Sequence, residues 1–577
     1  MTMLTKWGAA LDRSCPLPEY PRPQLRRESF YNLNGVWDYA VTPSGDEPEV
    51  WDGEIVVPFS PEAPLSGAAR GPAKDEYLHY RRGFTLPEGF QKSRVLLHFG
   101  AVDQIAEVFV NGVSAAKHSG GYWPFPADIT SLLREGENIL RVTVRDNADD
   151  PTFAYGKQRY KRGGMWYTAQ SGIWQTVWLE SVPEVYVKSL RITPEFDEAR
   201  VRIELETALE SSAAITCDVR AADGSFVAGS WAKGGVCVVP LPGFRAWTPD
   251  DPYLYTLDIT CGEDRVESYF AMRKFSYVEL DGHKVFGLNN APLFHNGLLD
   301  QGYYPDGLLT PPSDEAMVND IETMKRCGFN MLRKHIKIEP LRWYYHCDRL
   351  GMIVWQDMVS GGQPYSFLHV SALPTLGKVD LPDQDAKPYG RSGVLSRARF
   401  RREMADTVRL LYNCPCIALW TVFNEGWGQF DALDMANELK KLDPTRFIDH
   451  ASGWQDQGYE EMKSRHIYFR PVKLKNDGRA LALTEYGGYI LAVDGHRWTD
   501  KVFGYRICRD SAALAHDYEK LMLGQVLPHI RKEGLTAAVY TQITDVEEEL
   551  NGLMTYDREV LKIPEETLRE INKQLKF

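Results

Sequence analysis

The chain has 577 residues, of which 44% are hydrophobic and 25% charged, so it can form several domains with large cores and is not disordered as a whole. Its formal net charge of -13 at pH 7 argues against nucleic acid as the main partner, because phosphate binding requires a basic surface. No apolar run reaches the roughly 18 residues of a membrane span, so we expect no membrane association.

The nine cysteines are scattered, and the one close pair, Cys414 and Cys416, has no second pair beside it to complete a zinc site. The first residues lack the apolar core and cleavage site of a signal peptide. These features predict a cytoplasmic protein with reduced thiols and no metal site. The sequence also lacks the motifs of nucleotide-binding loops, zinc peptidases and esterases, and we expect no organic cofactor.

Residues 1–182 have the pattern of an all-β domain. Apolar and polar residues alternate in Ile105–Val110, Asn138–Arg145 and Ile173–Leu179, and the Asn-Gly pair after the first of these is a hairpin signal. Short strands separated by Gly, Pro and Asp clusters predict a β-sandwich or jelly roll.

Residues 183–276 form a second predicted β domain. Its clearest strands are Val201–Glu206 and Tyr253–Ile259. A segment of about 90 residues is the size of one immunoglobulin-like sandwich.

From residue 277 to residue 577 the pattern changes to alternating strands and helices. Ser313 is a candidate N-cap, because two acidic residues and then apolar residues at helical spacing follow it up to Gly328. Ser396 is a candidate N-cap for a second helix on the same grounds.

Eight apolar runs with strand character lie between the predicted helices. Eight βα-type repeats over about 300 residues predict a (β/α)8 TIM barrel. Ser360–Val394 is a long insertion after the third run. The runs are Pro292–Leu298, Asn330–Arg333, Met352–Trp355, Ile417–Phe423, Phe447–His450, His466–Phe469, Leu481–Thr484 and Ala537–Gln542.

Two of these runs end in a glutamate followed by a glycine-rich loop. The fourth ends at Glu425 and the seventh at Glu485. Catalytic groups of a TIM barrel lie at the carboxyl ends of its strands, and a glutamate there is costly to desolvate unless it is used or paired. Two facing carboxyl groups, one protonated and one ionised, are what retaining glycoside hydrolysis requires. The alternative is two salt-bridged glutamates at the barrel rim.

Other polar and aromatic residues near the strand ends are candidate sugar ligands. A structural alternative exists for most of them: Asp300 can cap a turn, Arg333 can hold a catalytic carboxylate, Asp357 can form an internal salt bridge and Trp427 can simply pack. His335 and His466 can equally be hydrogen-bonded core residues. The candidates are Asp300, Arg333, Lys334, His335, Asp357, Trp427, His466, Tyr468 and Arg470.

Several motifs together resemble glycoside hydrolase family 2, which contains bacterial β-galactosidases, β-glucuronidases and β-mannosidases. The resemblance covers essentially the whole chain and implies a sugar-binding jelly roll, an immunoglobulin-like domain and a catalytic TIM barrel. The motifs are Leu97-His-Phe-Gly-Ala-Val-Asp, Gly120-Gly-Tyr-Trp-Pro-Phe, Ser171-Gly-Ile-Trp-Gln-Thr-Val-Trp-Leu, Trp247-Thr-Pro-Asp-Asp-Pro-Tyr-Leu-Tyr, Gly328-Phe-Asn-Met-Leu-Arg, Asn424-Glu425 and Glu485-Tyr486.

The resemblance implies roles for the residues of the last two motifs. Glu425 falls on the acid/base of the family and Glu485 on its nucleophile, and Asn424 is expected to bind the sugar 2-hydroxyl. Tyr486, next in sequence to the nucleophile, can either donate a hydrogen bond to its carboxylate or point elsewhere. The implied partner is a small-molecule glycoside or oligosaccharide, and a homo-oligomer is a further expectation, because family members often associate through their β domains.

One departure from the family concerns the glycone, the sugar that is released. β-Glucuronidases carry an Asn-x-Lys pair that grips the uronate carboxylate, whereas Glu549 and Asn551 occupy the matching positions here. The resemblance then favours the β-galacturonidase branch, with a cation from Arg333, Lys334 or Arg470 replacing the lysine. The alternatives are β-galactosidase, then β-glucuronidase or β-mannosidase, and, in a different class, a non-catalytic carbohydrate-binding protein.

Overall fold

Two antiparallel sheets form the amino-terminal domain of the structure, a computed structural model that describes residues 3–209, 214–375 and 380–577. Their inner faces enclose one apolar core. In hydrogen-bonded order, the first sheet contains Tyr31–Asn32, Val177–Val182, Arg94–Phe99 and Phe125–Asp128, and the second contains Gly53–Val57, Gly35–Thr42, Tyr77–Phe84, Asn138–Arg145, Ile105–Val110 and Val113–Ser119.

The strands of this domain follow the predicted alternation closely. Ile105–Val110 and Asn138–Arg145 have the predicted bounds and pair antiparallel. Asn111 and Gly112 have φ values of 52° and 82°, the left-handed backbone that a tight hairpin turn requires. The predicted strand Ile173–Leu179 was partly wrong, because the observed strand begins at Val177.

The second domain is a smaller sandwich with its own core. Its strands, in the two sheets, are Val187–Glu195, Arg200–Thr207 and Val236–Pro240, then Phe226–Trp231, Ile215–Arg220, Tyr255–Cys261 and Asp264–Phe270.

A β-hairpin of Phe275–Leu280 and His283–Leu288 connects this sandwich to the barrel. Phe286 stacks on Phe447 with ring centroids 4.2 Å apart, and its N–H donates to Thr536 Oγ1 at 2.6 Å. These contacts place the hairpin against the amino-terminal ends of barrel strands. The opposite end of the barrel, where the strands finish, is left for a site.

Eight parallel strands form the barrel that the repeat predicted. Their hydrogen-bonded order is β5-β4-β3-β2-β1-β8-β7-β6, as expected for consecutive βα units wound around one axis. The sixth strand was predicted too late, because it ends at Ile467. The strands are β1 (His295–Asp300), β2 (Met331–Lys334), β3 (Ile353–Asp357), β4 (Ile417–Thr421), β5 (Phe447–Asp449), β6 (Met462–Ile467), β7 (Ala480–Gly487) and β8 (Leu535–Thr541).

The main helices of the barrel surround these strands. Ser313 caps α1 as predicted, since its Oγ accepts from the Ala316 N–H at 3.2 Å. The prediction of Ser396 as an N-cap was wrong, because α3 already begins at Val394, and Gly393 is its N-cap. The helices are α1 (Asp314–Arg326), α2 (Leu341–Leu350), α3 (Val394–Leu411), α4 (Ala432–Leu442), α5 (Ser511–Leu521), α6 (Leu527–Glu533) and α7 (Glu565–Asn572).

Within the described ranges, no helix is both long and apolar enough to cross a bilayer. The predicted insertion after β3 contains two short helical segments, Leu368–Ala372 and Leu373–Thr375. Residues 376–379 of that insertion lie outside the described residues.

Residues 154–168 of the first domain, here named the docking segment, lie on the loops at the carboxyl end of the barrel. The Gly156 N–H donates to Ser360 O at 2.9 Å, after β3. After β8, the Gly164 N–H donates to Glu548 Oε2 at 2.9 Å. The first domain therefore contributes a wall to whatever site the barrel carries.

Candidate active site

Glu425 and Glu485 face each other at the carboxyl end of the barrel. Glu485 lies inside β7, and Glu425 follows β4 by four residues. One carboxylate oxygen of each and one ring nitrogen of His466 all lie within 4.8 Å of one another. The ladder between β6 and β7 is irregular at Arg465 and His466, next to Glu485. Such bulges re-aim side chains and are common beside active sites.

The backbone of Glu425 is in the left-handed region, with a φ of 54°. This conformation is unfavourable for a residue with a Cβ atom and is held here by neighbouring contacts, including a 2.9 Å hydrogen bond from the Glu425 N–H to Ser452 O. Burial raises the pKa of the Glu425 carboxyl, and the positive charge of Lys157 opposes that shift only in part. A carboxyl group with a raised pKa is suited to donate a proton near neutral pH.

His466 connects Glu425 to a short chain of hydroxyl groups. Burial lowers the pKa of His466 to about 3, so the ring is neutral at physiological pH. The Ser452 hydroxyl donates to Thr484 Oγ1 at 3.0 Å, which leaves its oxygen to accept from His466 Nε2–H at 3.2 Å. His466 Nδ1 is then the acceptor, and it lies 2.8 Å from Glu425 Oε1. This arrangement holds a proton on Glu425.

Ser452→Ala is expected to shift the alkaline limb of the pH–activity curve to lower pH. With a proton required on Glu425 and an ionised Glu485, the wild-type curve should be bell-shaped. Loss of the Ser452 oxygen frees the ring to adopt the other tautomer, in which Nδ1–H donates to ionised Glu425 and lowers its pKa. The expected shift is about 0.5–1 pH unit, as for one hydrogen bond of roughly 0.5–1.5 kcal/mol.

The measurement is kcat/KM on an aryl β-glycoside from pH 4 to about pH 9, with the exposed Ser392→Ala as the control variant. An unchanged alkaline limb in Ser452→Ala, or a shift to higher pH, would contradict the assigned tautomer.

Glu485 accepts hydrogen bonds on both carboxylate oxygens. Arg333 Nη1 donates to Oε1 at 3.1 Å, and the Tyr468 hydroxyl donates to Oε2. Tyr468 is fixed by stacking on Tyr505, with ring centroids 3.9 Å apart, and burial raises the pKa of its phenol well above the usual value. These two donors fix the position of the Glu485 carboxylate.

Arg333 is fully buried and has no donor left for a sugar. Asp357 binds its Nε and Nη2 at 2.9 and 3.1 Å, and the remaining N–H groups donate to Glu485, Thr484 O and Asn424 Oδ1. Although burial would raise it, the pKa of Asp357 falls to about 2 because of Arg333 and His335. We therefore place Arg333 and Asp357 as positioning residues and not as the predicted substrate ligands.

Asn424 and His335 have polar atoms left over for a ligand. Asn424 Oδ1 accepts from Arg333 at 2.8 Å, and Asn424 Nδ2 has no partner within the described residues. This leaves its N–H groups for a sugar hydroxyl. His335 Nδ1 lies 2.7 Å from Asp357 Oδ2, which fixes the ring. Burial lowers the pKa of His335, so the ring is a neutral hydrogen-bonding group.

Lys334 and Asp300 are bound to each other below the site. Lys334 Nζ donates to Asp300 Oδ2 at 2.6 Å and to Glu339 Oε1 at 2.8 Å, and it lies 4.2 Å from the centroid of the Trp343 ring. Asp300 Oδ1 also accepts from the Gly302 N–H at 2.9 Å, which is the turn cap that the sequence allowed. Lys334 is therefore not available as a cation for a substrate.

Two further predicted ligands contact other parts of the protein, and a third is exposed. The Tyr486 hydroxyl donates to Met522 Sδ at 3.0 Å on the outside of the barrel, so of its two alternatives the one that points away from Glu485 is observed. Trp427 is 5% exposed and packs edge-on against Trp166, with ring centroids 5.0 Å apart. Arg470 is exposed and forms no ion pair in the part of the chain that the structure describes.

Residues of the docking segment at this site were not predicted. The Tyr167 hydroxyl donates to Glu549 Oε2, and the charge of Lys157 acts on Glu425 and His335. The segment's run of cations, aromatic residues and glycines was the available signal. Nothing in the sequence placed it beside the barrel strands.

Within the described ranges, two clusters have three side chains spaced closely enough to hold a metal ion. One is Glu425, His466 and Glu485 itself, and the other is His496, Asp557 and Glu559 on the same domain.

Three family models match consecutive parts of the chain. The "Glycosyl hydrolases family 2, sugar binding domain" covers residues 64–183, the "Glycosyl hydrolases family 2" model residues 185–273, and the "Glycosyl hydrolases family 2, TIM barrel domain" residues 311–474. The chain belongs to glycoside hydrolase family 2. The family match agrees with the jelly-roll, immunoglobulin-like and barrel architecture.

Curated β-galactosidases and β-glucuronidases are similar to this chain at low identity. A β-galactosidase of Thermoanaerobacter pseudethanolicus is 25% identical over 64% of this chain and 47% of its own length. A β-glucuronidase of Paenibacillus borealis is 22% identical over 82% of this chain and 85% of its own length. The chain spans about half the length of the β-galactosidases that it matches.

Solved structures of family 2 enzymes share the whole fold. A β-D-glucuronidase of Dictyoglomus thermophilum has a TM-score of 0.74 at 19% identity, covering 96% of this chain and 99% of that one. A β-galacturonidase of Eisenbergiella tayi, bound to galacturonate, has a TM-score of 0.71 at 19% identity, with coverage of 96% and 99%.

Proposed function

We propose that this chain is a retaining β-glycosidase that acts by double displacement, with Glu425 as acid/base and Glu485 as nucleophile. The observation that carries this proposal is the separation of the two carboxyl groups, whose oxygens come within 4.8 Å. Retaining enzymes hold the two groups roughly 5–5.5 Å apart, whereas inverting enzymes leave about 6.5–9.5 Å for a water molecule. A non-catalytic carbohydrate-binding protein would have no need for this pair.

In the first step, protonated Glu425 donates its proton to the departing glycosidic oxygen while Glu485 attacks the anomeric carbon. The bond from the anomeric carbon to the aglycone breaks, and an ester between this carbon and Glu485 forms. Arg333 and Tyr468 hold the attacking carboxylate in place, and the free Asn424 Nδ2 is positioned to bind the sugar 2-hydroxyl.

In the second step, Glu425 is ionised and removes a proton from water as the water attacks the anomeric carbon. The ester breaks, Glu485 leaves as a carboxylate, and the product keeps the configuration of the substrate. Neutral His466, with Nδ1 2.8 Å from Glu425 Oε1, favours return of the proton to Glu425 at the end of this step.

For the glycone we propose a β-D-galacturonide. Glu549 and Asn551 replace the asparagine and lysine by which β-glucuronidases grip a uronate, and a β-galacturonidase is among the proteins with the same fold. β-Galactosidase is the second candidate, because β-galactosidases are among the curated relatives.

A panel of 4-nitrophenyl β-glycosides tests both the proposed glycosidase activity and the proposed glycone. The panel contains the galacturonide, galactoside, glucuronide and mannoside, and kcat/KM is measured for each. The galacturonide is expected to give the highest value. Turnover of the galactoside without turnover of the galacturonide would refute the proposed galacturonide glycone. The absence of any turnover across the panel would refute the proposed glycosidase activity.

A further inference from the structure

Lys157 of the first domain reaches the mouth of the barrel. It lies in the docking segment, whose Gly156 N–H donates to Ser360 O at 2.9 Å and whose Tyr167 N–H donates to Lys157 O at 3.0 Å. These bonds fix its backbone against the loops after β3. Lys157 is only 9% exposed, and its Nζ lies 5.6 Å from the centroid of the Trp166 ring.

Lys157 differs from Arg333 and Lys334, the two cations of the barrel strands, in having no partner in the described residues. Within residues 3–209, 214–375 and 380–577, it donates no side-chain hydrogen bond and forms no ion pair. Its neighbours Arg159 and Arg162 pair with Asp149 at 3.4 Å and Glu547 at 3.3 Å. The Lys157 side chain is mostly buried, but its Nζ reaches solvent-accessible space, so its N–H donors are available for a bound anion.

The charge of Lys157 acts on both ends of the pocket. Burial raises the pKa of Glu425 and of Glu549, and in each case Lys157 is the charged group that most opposes the shift. Lys157 nonetheless reaches ion-pair distance with neither of them in the described structure. The contacts place Lys157 near both groups. Its Nζ lies 5.6 Å from the ring of Trp166, which packs against Trp427, two residues after Glu425. Its backbone oxygen accepts from the N–H of Tyr167, whose hydroxyl donates to Glu549.

Glu549 offers the complementary group. Its Oε2 accepts from the Tyr167 hydroxyl and from Gln542 Nε2 at 3.4 Å, while Oε1 has no partner in the described residues. A free acceptor and a free cation on two contacting segments match a sugar that carries both a hydroxyl and a carboxylate. A hexuronide has this pair, at carbon 4 and at carbon 6. A neutral hexose would leave the ammonium without an anion.

We propose that Lys157 binds the carboxylate of a hexuronide glycone, in place of the cations expected from the barrel strands. The inference rests on the proposed function and deepens it, because it assigns the residue that makes a uronide the preferred glycone. Arg333 and Lys334 have their donors occupied by protein groups, whereas the Lys157 ammonium has no acceptor in the described residues and lies beside Trp166.

The test compares Lys157→Met, Lys157→Arg and the control Lys161→Met, an exposed lysine of the same segment. Each is assayed on 4-nitrophenyl β-D-galacturonide and β-D-galactoside, which share one aglycone. Lys157→Met is expected to lower kcat/KM for the galacturonide by about 10–100-fold and for the galactoside by less than about threefold, as for one charge-assisted hydrogen bond. Lys157→Arg should recover part of the loss, and Lys161→Met should change neither value.

Active sites are counted in every variant by the burst of 4-nitrophenol from a 2-deoxy-2-fluoro galactoside, so that misfolding is not mistaken for lost binding. Equal losses on both substrates in correctly folded Lys157→Met would overturn the inference, because the lysine would then act through Glu425. An unchanged galacturonide value would overturn it as well. If the wild type cleaves the galactoside alone, the uronide inference fails while the glycosidase stands. If it cleaves neither, the proposed function itself fails.

Discussion

Glu485→Gln should lower kcat by at least about 10⁴-fold, because the amide cannot form the ester on which both displacement steps depend. A 2-deoxy-2-fluoro glycoside with a good leaving group should trap that ester in the wild type. The fluorine destabilises both oxocarbenium-like transition states, so the intermediate accumulates. Peptide mass spectrometry should then find the label on Glu485 in the β7 peptide, and Glu485→Gln should not be labelled.

The control variant is Glu519→Gln, which changes an exposed glutamate on α5 and should keep wild-type activity and labelling. A label on Glu425 would reverse the assignment of the two carboxyl groups. Labelling of Glu485→Gln at any other residue would remove Glu485 as the nucleophile.

Glu425→Ala should lose about 10²–10⁴-fold in kcat/KM on substrates with poor leaving groups, and much less on activated aryl glycosides. The reason is that an alkyl or sugar oxygen must be protonated as it departs, whereas a nitrophenolate can leave as an anion. On activated substrates the slow step becomes attack of water without a base. Azide, which needs no base, should therefore accelerate turnover and give a β-glycosyl azide.

The measurement is a plot of log kcat/KM against leaving-group pKa for wild type and variant. The slope should be steeper in Glu425→Ala, and azide should have no effect on the wild type. Parallel lines, or an α-glycosyl azide, would contradict the role of Glu425. The alkaline limb should also disappear in the variant, since burial raises the pKa of Glu425 in the wild type and the limb is its deprotonation.

The strand pattern was enough to predict the fold and the facing glutamates. Each barrel strand is a buried apolar run, so its last residue could be located to within a few positions, and a carboxylate there stands out. Asn424, His335, His466 and Tyr468 were also expected near the site and lie around the two carboxyl groups. The bounds of β6 were less clear, because polar residues interrupt Met462–Ile467.

The side-chain directions could not be predicted from strand ends alone. Consecutive strand residues point to opposite faces, so Glu485 inside the barrel places Tyr486 outside, against Met522. Tyr468, beyond the end of β6, donates the hydrogen bond that was one of the two alternatives for Tyr486. Arg333 was expected either to bind substrate or to hold a carboxylate, and only its contacts with Asp357 and Glu485 decide between these roles.

The contribution of the first domain to the active site could not be predicted from the strand and helix pattern. Lys157 is more than 250 residues from either glutamate in sequence and belongs to an irregular loop. It reaches the barrel because its segment is bonded to the barrel loops, for example where Ala154 bridges Gly361 and where the Thr168 N–H donates to Glu547 at 2.8 Å. Contacts of this kind depend on how two domains dock, and no local periodicity encodes that.

The stereochemistry of the first-formed product tests the central claim most directly. Proton NMR of a 4-nitrophenyl β-glycoside digest, recorded before the free sugar mutarotates, separates the two anomers. Two successive inversions through Glu485 and water should give the β anomer first, with the α anomer appearing later at the rate of mutarotation. Initial release of the α anomer would mean a single displacement, and the assignment of Glu485 as nucleophile and the retaining mechanism would both be wrong.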